Sequence, residues 1–237
     1  MLTAYTLIAS KNEKINRLTT ESVVFIDPTL NPDGRDRHSQ WANQFKSINL
    51  VADSNDAEHN ESWPRGRTNH YWFDLNRDWL LAIHPEIRGK LNWLHEWYPN
   101  VVVDVHEMGT NSNYFFDPMK PSASVKPLIP QENVDLYPIF AEYYIKYMDS
   151  IGSFYYSKES FDETYPGYGS TYSDLQGGLA LLFEQASSRG HVQETNYGEM
   201  TFGFTIRNQF LNGIATVEAA VDNKMLLSCL LYTSPSP

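Results

Sequence analysis

The stretch VVVDVH, residues 101–106, is a nearly unbroken apolar run that ends on a histidine. Short runs of this kind are typical of strands buried inside a sheet. Two others have the same character: SVVFID at 22–27 and LALLFE at 179–184, the second of which ends on a glutamate. The three runs predict three buried strands.

Helical patterns alternate with these runs. Segments 84–97, 137–151 and 206–221 each place apolar residues along one side, and residues 1–14 predict an amphipathic helix at the start of the chain. Strands alternating with helices predict an α/β domain with a mixed, largely parallel central sheet flanked by helices. Long loops rich in Pro, Gly, Asn and Asp are predicted at 27–37, 53–67, 117–133 and 161–178, and such loops usually carry the functional site.

Composition narrows the class of protein. The chain has 237 residues, of which 41% are hydrophobic and 20% charged, so it can bury a sizeable core. A formal net charge of −11 argues against a nucleic-acid partner, and no apolar run is long enough to span a membrane. Cys229 is the single cysteine, which excludes intramolecular disulfides and cysteine-based metal sites.

The last nine residues, CLLYTSPSP at 229–237, break from the amphipathic pattern that precedes them. They resemble the translated end of a sequencing adapter, so we predict a native domain over 1–228 followed by a non-native tail. An ordinary tail rich in Pro and Ser is the alternative.

A second stretch, NHYWFDLNRDW at 69–79, predicts a buried aromatic strand that contains adjacent Asn76 and Arg77. A buried guanidinium needs a partner, because unpaired buried charge is costly. Either Asp74 or Asp78 pairs with Arg77, or Arg77 binds an anion from outside the chain.

His106 and Glu184 are the polar residues that end two predicted strands. Ligands on α/β sheets bind beyond the carboxyl ends of the strands, so the pair indicates a metal ligand or a base beside a second carboxylate. A structural hydrogen bond is the alternative for the histidine. Arg67 lies a few residues before the 69–79 stretch and could stabilise negative charge developing on an oxygen.

Five motifs occur in a fixed order: NPDG at 31–34, FDLNRDW at 73–79, HPEIR at 84–88, VVVDVHEMG at 101–109 and LLFEQASSRG at 181–190. Together they resemble the zinc carboxypeptidase family, and the resemblance spans about residues 1–221. It implies a peptidase that removes the C-terminal residue of a peptide with the help of Zn²⁺. A peptide or protein C-terminus is then the expected partner.

The resemblance also implies roles for individual residues around the metal. His106 matches the last of three zinc ligands, and Asp74 matches a residue that orients a zinc-bound histidine. Glu184 matches the general base. Arg67 best matches the arginine that polarises the scissile carbonyl, with Arg37 and Arg65 as alternatives.

Four further residues match the substrate-binding part of the family's site. Asn76 and Arg77 match the pair that clamps the terminal carboxylate of the peptide. Tyr165 is the first choice for the tyrosine that closes over the substrate, and Tyr168 is the second.

The match breaks at the first two zinc ligands. The family's His-x-x-Glu motif precedes NPDG by several dozen residues, which would place it upstream of Met1. His191 and Glu194 have the right spacing but follow the expected base. Four other histidines lack a Glu at the required offset and suit surface or capping roles: His59, His70, His84 and His95. We therefore expect a truncated fragment that lacks the first strands of its sheet, exposes a sheet edge and binds zinc weakly.

Other functions remain open. An amidase or deacylase of acyl-amino acids would keep the zinc, the base and a carboxylate-binding arginine. A binding module that has lost its metal site is a second alternative. A glycosidase, suggested by the aromatic content of 14%, is less favoured, because no pair of carboxylates beyond Glu184 and Asp104 has clear placement at strand ends. Family members are often exported, but the sequence carries no signal that decides localisation.

Overall fold

The structure, a computed structural model, describes residues 1–121 and 128–233. The helices in these ranges are α1 Leu2–Ala9, α2 Glu13–Glu21, α3 Pro32–Phe45, α4 Pro85–Trp97, α5 Gln131–Ser150, α6 Gly169–Asp174, α7 Phe202–Asp222 and α8 Lys224–Thr233. The strands are β1 Val101–Met108, β2 Tyr114–Phe116, β3 Tyr155–Tyr156, β4 Leu179–Ala186, β5 Val192–Thr195 and β6 Gly198–Thr201. Single 3₁₀ turns form at Ala57–His59 and Leu75–Arg77.

Four strands form the central sheet in the order β1-β4-β2-β3. β1 and β4 are parallel, β2 runs antiparallel to β4, and β3 is parallel to β2. The remaining strands, β5 and β6, form a separate antiparallel hairpin. The predicted α/β fold with a mixed, largely parallel sheet is confirmed.

The register of β1 against β4 positions the strand ends. Val101 is paired with Leu179 at the start of the ladder, and His106 is paired with Glu184 near its end. Paired residues on neighbouring strands lie about 4.8 Å apart and point to the same face of the sheet. The strands predicted at 101–106 and 179–184 are confirmed, and β4 is buried as predicted. The burial predicted for 101–106 is wrong: β1 is the edge strand of the sheet in the described part of the chain, its residues are at best partly buried, and Val105 is 56% exposed.

Helices cover both faces of this sheet. On one face, α5 and α7 bury a core that includes Phe140, Tyr144 and Phe183, all at most 1% exposed. A second core is centred on α4, where Ile87 and Leu91 pack with neighbouring loops and α6. The helices predicted at 84–97, 137–151 and 206–221 are confirmed, each with slightly shifted ends.

The strand predicted at 22–27 is wrong. These residues form no helix or strand, and Val23 is 74% exposed. Phe25 packs edge-on against Trp93 and Trp97 of α4, with ring centroids 4.6 and 4.8 Å away. In the described part of the chain no strand pairs with this segment, so its backbone lacks the hydrogen bonds that would make a strand.

Both ends of the chain differ in part from expectation. The helix predicted over 1–14 ends at Ala9, because the Asn12 side chain accepts a hydrogen bond from the Lys14 backbone at 2.9 Å and starts a new helix. At the other end, α8 continues to Thr233, and Leu230 is buried against the core. The origin of residues 229–237 stays a prediction.

Residues 234–237, and residues 122–127 of the loop predicted at 117–133, lie outside the described residues. No helix among the described residues is long and apolar enough to cross a membrane.

Candidate active site

The stretch 69–79 is a loop that ends in the 3₁₀ turn, so the buried strand predicted there is wrong. Asn69 is fully buried, and its side-chain oxygen accepts hydrogen bonds from the backbones of Tyr71 and Phe73 at 3.0 Å. These bonds curl the backbone, and the aromatic side chains between them point outward, with Trp72 59% exposed. A side chain that bonds its own backbone competes with a strand ladder, which explains the difference.

The turn Leu75–Arg77 begins at Asp74. One carboxylate oxygen of Asp74 accepts a hydrogen bond from the Asn76 backbone at 2.9 Å. The other accepts a hydrogen bond from the Arg67 Nε at 3.0 Å and lies 3.8 Å from the Arg77 guanidinium. Asp78 is directed elsewhere, since it accepts hydrogen bonds from the backbones of Ile83 and His84, just before α4.

Arg77 itself is about half exposed, at 48% of its side chain. Its guanidinium lies over the ring of Tyr168 at 4.4 Å and donates a hydrogen bond to the Asn76 carbonyl at 2.9 Å. Neither contact neutralises its charge, and Asp74 lies nearer to Arg67 than to Arg77. The guanidinium can therefore bind an additional anion from solvent.

Asn76 joins the turn to β1 and α6. Its Nδ2 donates a hydrogen bond to Asp104 at 2.9 Å, and its Oδ1 accepts one from the Gly169 backbone at 2.9 Å. Nδ2 also lies 2.8 Å from Nε2 of His106. Asn76 thus holds together the three segments that carry the predicted site residues.

His106 is paired with Asp104 two residues earlier on the same face of β1. Nε2 of His106 lies 2.8 Å from a carboxylate oxygen of Asp104, which assigns the Nε2 proton to this bond. Burial opposes a charge on the ring, but the neighbouring carboxylate outweighs it and raises the pKa of His106. Nδ1 is the ring nitrogen that Asp104 does not engage, and it offers a lone pair to a cation when the ring is neutral.

Arg67 is the predicted arginine that lies beside His106, with its NH1 group 3.4 Å from Nδ1 of the imidazole. The NPDG motif supports this position, because Nδ2 of Asn31 donates a hydrogen bond to the Arg67 carbonyl at 3.2 Å. In contrast, Arg37 is committed to the backbone carbonyls of Thr68 and Asn69, and Arg65 is exposed with a left-handed backbone.

Gly34, in the same NPDG motif, allows the start of α3 to lie close to the backbone of the loop that carries Arg67. A Cβ atom at Gly34 would lie 2.1 Å from the Gly66 carbonyl oxygen, which is inside any allowed contact distance. A side chain at Gly34 would therefore push away the loop that carries Arg67.

Glu184 is brought to His106 by the strand register. Its Oε2 atom is buried and has no hydrogen-bond partner within the described residues. Burial is the largest influence on its carboxyl group and raises the pKa of Glu184, although the charges of His106 and Arg67 act in the opposite direction. A carboxylate that is poorly solvated and close to cationic groups has the properties of a general base.

The two predicted tyrosines lie on the segment that leads into α6. The Tyr165 hydroxyl donates a hydrogen bond to the Arg77 carbonyl at 2.9 Å. Tyr168 stacks on the Arg77 guanidinium, and the two tyrosine rings meet edge to face at 5.2 Å. The structure thus brings both candidates to the Asp74–Arg77 turn.

The alternative ligand pair is not brought together. Nδ1 of His191 lies 2.6 Å from the buried carboxylate of Glu58. The backbone amide of Glu194, on β5, donates a hydrogen bond to the Ala52 carbonyl. Three of the other histidines lie at the surface or near helix ends, as predicted: His70, His84 and His95. His59 differs, because it is buried and bonds the Val51 carbonyl at 3.1 Å.

Asp104 belongs to this cluster, but the sequence did not lead us to assign it a role in a peptidase site. The signal was present, because residues two apart on a strand share a face and Asp104 precedes His106 by two. Gly169 could not have been found in this way, because its contact is made by its backbone.

The family's metal fits these residues only in part. His106 offers one nitrogen ligand, and the nearby Glu184 carboxylate has an unpaired oxygen. Among residues 1–121 and 128–233, no group of three His, Cys, Asp or Glu side chains is arranged to hold a metal ion. Zinc usually takes three protein ligands in catalytic sites, so the described residues do not complete a zinc centre.

Comparison with known proteins places this arrangement in a family. A metallo-carboxypeptidase from Pseudomonas aeruginosa, solved in complex with (2-guanidinoethylmercapto)succinic acid, superposes with a TM-score of 0.62 at 14% identity. The match covers 95% of this chain and 53% of that structure. A metallo-carboxypeptidase from Burkholderia cenocepacia gives a TM-score of 0.60 at 14% identity and covers 94% and 52% of the two chains.

The chain therefore spans about half the length of these solved structures, which share its fold. Among curated proteins, the comparison finds no matching sequence. The sequence profile of the family described as zinc carboxypeptidase matches residues 1–210, most of the chain. On this match, together with the shared fold, the chain belongs to the zinc carboxypeptidase family.

Proposed function

We propose that the protein is a zinc-dependent metallocarboxypeptidase that hydrolyses the C-terminal peptide bond of peptides. The observation that carries the proposal is that Arg67 and Glu184 lie beside His106 at the carboxyl ends of β1 and β4, with Arg77 on the adjoining turn next to Asp74. Arg77 offers a cationic group to a terminal carboxylate. Glu184 offers a base with a buried oxygen, about one strand spacing from His106, the candidate metal ligand.

Arg77 is assigned the terminal carboxylate of the substrate. Its half-exposed guanidinium is oriented by Tyr168, and its nearest carboxylate among the described residues is Asp74 at 3.8 Å. A planar guanidinium binds a carboxylate through two parallel hydrogen bonds, which selects peptides with a free C-terminus. Asn76 is assigned a further hydrogen bond to this carboxylate, for which its amide must turn away from Asp104.

Glu184 is assigned the proton transfers. It accepts a proton from the attacking water and returns it to the nitrogen of the leaving amine. Its raised pKa keeps the carboxylate basic enough for this exchange. Arg67 is assigned the carbonyl oxygen of the scissile bond, where a guanidinium stabilises the developing negative charge.

Tyr165 and Tyr168 are assigned the rim of the site. Both contact Arg77 or its backbone, so they lie next to the position assigned to the substrate carboxylate. His106 is assigned one zinc coordination position through Nδ1, with Asp104 and Asp74 orienting the groups around it. When bound, zinc supplies Lewis acidity, but this chain alone is expected to bind it weakly and to have little or no activity.

Recognition of the carboxylate can be tested without turnover. We expect this chain to bind an N-acetylated dipeptide with a free C-terminus and not its C-terminal amide, in a titration followed by NMR. Arg77→Ala should weaken binding by about 10- to 100-fold, the effect of losing a hydrogen bond to a charged group. Arg88→Ala is the matched control, since Arg88 is exposed and bonds only the nearby Ile83 carbonyl.

Equal binding of the acid and the amide, or equal effects of the two arginine variants, would contradict the assignment of Arg77. Metal binding is a separate test by isothermal titration of Zn²⁺. His106→Ala should remove the residual heat of binding, whereas His191→Ala, at a histidine paired with Glu58, should not. Loss of the heat in His191→Ala alone would show that the metal ligand had been misassigned.

The amidase alternative makes a different prediction for a longer protein that contains this chain. A carboxypeptidase releases the last amino acid from peptides and loses this activity in Glu184→Gln. Preferential cleavage of N-acyl amino acids over peptides would favour the amidase instead.

A further inference from the structure

Three carboxyl groups are buried together behind the candidate site. Asp117 follows β2, Glu163 precedes the segment with the two tyrosines, and Asp174 ends α6; each is at most 1% exposed. One oxygen of Asp117 accepts a hydrogen bond from the Leu182 backbone at 2.5 Å, and its other oxygen has no partner in the described chain. Carboxyl groups this deeply buried do not all stay charged without cations beside them.

The hydroxyl of Tyr137 lies between two of these groups. It is 2.7 Å from an oxygen of Glu163 and 2.6 Å from an oxygen of Asp174. A phenol has one proton and can donate it to one acceptor only. The second short contact therefore requires a carboxyl group that carries its own proton and donates it to the phenol oxygen.

The neighbouring donors identify which carboxyl group holds that proton. Asp174 accepts further hydrogen bonds from Nδ2 of Asn133 at 2.6 Å and from the Ala180 backbone at 2.7 Å. The free oxygen of Glu163 has no partner within the described residues. Donors stabilise the charged form, so Asp174 ionises before Glu163 as the pH rises. Burial raises the pKa of Asp174 to about 7. Above that pH Tyr137 donates to a charged Asp174, and a neutral Glu163 donates to Tyr137.

The surrounding charges agree with this assignment. Burial is the largest influence on Glu163 and raises its pKa well above the ordinary value, and the carboxylates of Asp174, Asp117 and Asp162 act in the same direction. Burial also raises the pKa of Tyr137, so the phenol keeps its proton. The groups that face Glu163 from α5, β2, α6 and its own loop are thus acidic or phenolic.

We propose that Tyr137 and the protonated Glu163 are positioning residues for the segment 164–173, which carries Tyr165 and Tyr168. Glu163 and Asp174 flank this segment on either side, and the single hydroxyl of Tyr137 on α5 ties both ends to the same point. The link to substrate binding rests on the proposed function, because it assumes that the two tyrosines border the substrate.

The proposal has a defined dependence on pH. Opening of the segment exposes Glu163 to water, where its pKa returns to about 4.5. Because the pKa in the closed segment is higher, the closed form gains a proton that the open form releases. The contribution of Glu163 to the stability of the closed segment is complete below pH 4.5 and falls as the pH rises toward the raised pKa, by up to about tenfold in the opening equilibrium per pH unit. Asp174, whose pKa is raised to about 7, adds a loss of its own below that pH. The slope above pH 7 is therefore the part that reports Glu163.

Hydrogen exchange of the amides at 164–173 measures this opening directly, as protection factors between pH 4.5 and 8. In Glu163→Gln the amide donates to Tyr137 as the protonated acid does, so the protection should persist while its pH dependence flattens. Tyr137→Phe should reduce the protection by about tenfold, the effect of losing a buried hydrogen bond to a charged group. Tyr144→Phe is the control, since it removes a buried hydroxyl from the same helix that bonds only Thr216.

Two results would overturn the proposal. One is an unchanged pH slope in Glu163→Gln, which would show that the proton is held elsewhere. The other is equal protection of segment 164–173 in Tyr137→Phe and Tyr144→Phe. If Tyr137→Phe does not fold, the Glu163→Gln slope alone decides the outcome. The measurement uses neither zinc nor peptide, so its failure is distinct from failure of the proposed carboxypeptidase function.

Discussion

Replacing Asn76 by alanine should destabilise the fold by about 2–4 kcal/mol. The side chain makes two hydrogen bonds of 2.9 Å, one to Asp104 and one from the Gly169 backbone. Alanine leaves the Asp104 carboxylate, which is only 14% exposed, with one donor fewer, and leaves the buried Gly169 amide without an acceptor. Each buried group that loses its partner costs about 1–3 kcal/mol, and the sum is reduced because His106 still contacts Asp104.

Urea unfolding followed by tryptophan fluorescence measures the change. With a slope of about 3 kcal/mol per M, the midpoint of Asn76→Ala should fall by about 1 M. Asn43→Ala is the matched control, because Asn43 is exposed and its amide bonds only Ser39 within the same helix. Its free energy of unfolding should change by no more than about 0.5 kcal/mol.

Equal midpoints for the two variants would refute the reasoning. Such a result would mean that water replaces the Asn76 amide at no cost, so that the turn, β1 and α6 are held together by other contacts. The role of Asn76 as the centre of the site would then have to be abandoned.

Two further predictions concern the rest of the fold. Phe140→Ala removes a fully buried ring from the core between the sheet and α5 and should cost about 3–5 kcal/mol in unfolding free energy, whereas Phe154→Ala, at a ring that is 66% exposed, should cost far less. Lys14→Met removes the ammonium that lies 2.7 Å from the Glu218 carboxylate; because this lysine is 41% exposed, the loss at neutral pH should be only about 1 kcal/mol. Burial opposes the charge on Glu218, but hydrogen bonds from Lys14 and Tyr147 outweigh it and lower its pKa, so this stability is present above pH 4.5 and lost as the pH falls through the lowered pKa. Unfolding measured against pH should therefore show a smaller acid-induced loss in Lys14→Met than in the unmodified chain.

The strands of the sheet could be predicted from the sequence where a long apolar run pairs with a neighbouring strand. The runs at 101–106 and 179–184 became β1 and β4, because each finds the other as a neighbour. The run at 22–27 is similarly apolar but pairs with none of the described strands. Strand formation depends on pairing with distant residues, which a local pattern does not contain.

The residues of the candidate site also divide into those that a local sequence pattern predicts and those that it does not. His106 and Glu184 stand out in the sequence because they end apolar runs, and the position of Asp104 follows from the two-residue period of a strand. The hydrogen bonds of Tyr137 with Glu163 and Asp174 could not be predicted from the sequence, because 26 and 37 residues separate the partners. Nor does a local pattern distinguish an aromatic strand from the loop at 69–79, where one buried asparagine decides the backbone.

The parallel pairing of β1 with β4 constrains how this protein can vary in length. Insertion or deletion of one residue inside either strand would rotate the imidazole or the carboxylate to the reverse side of the sheet and separate the two groups. Related sequences should therefore keep the spacing within 101–106 and 179–184 free of gaps.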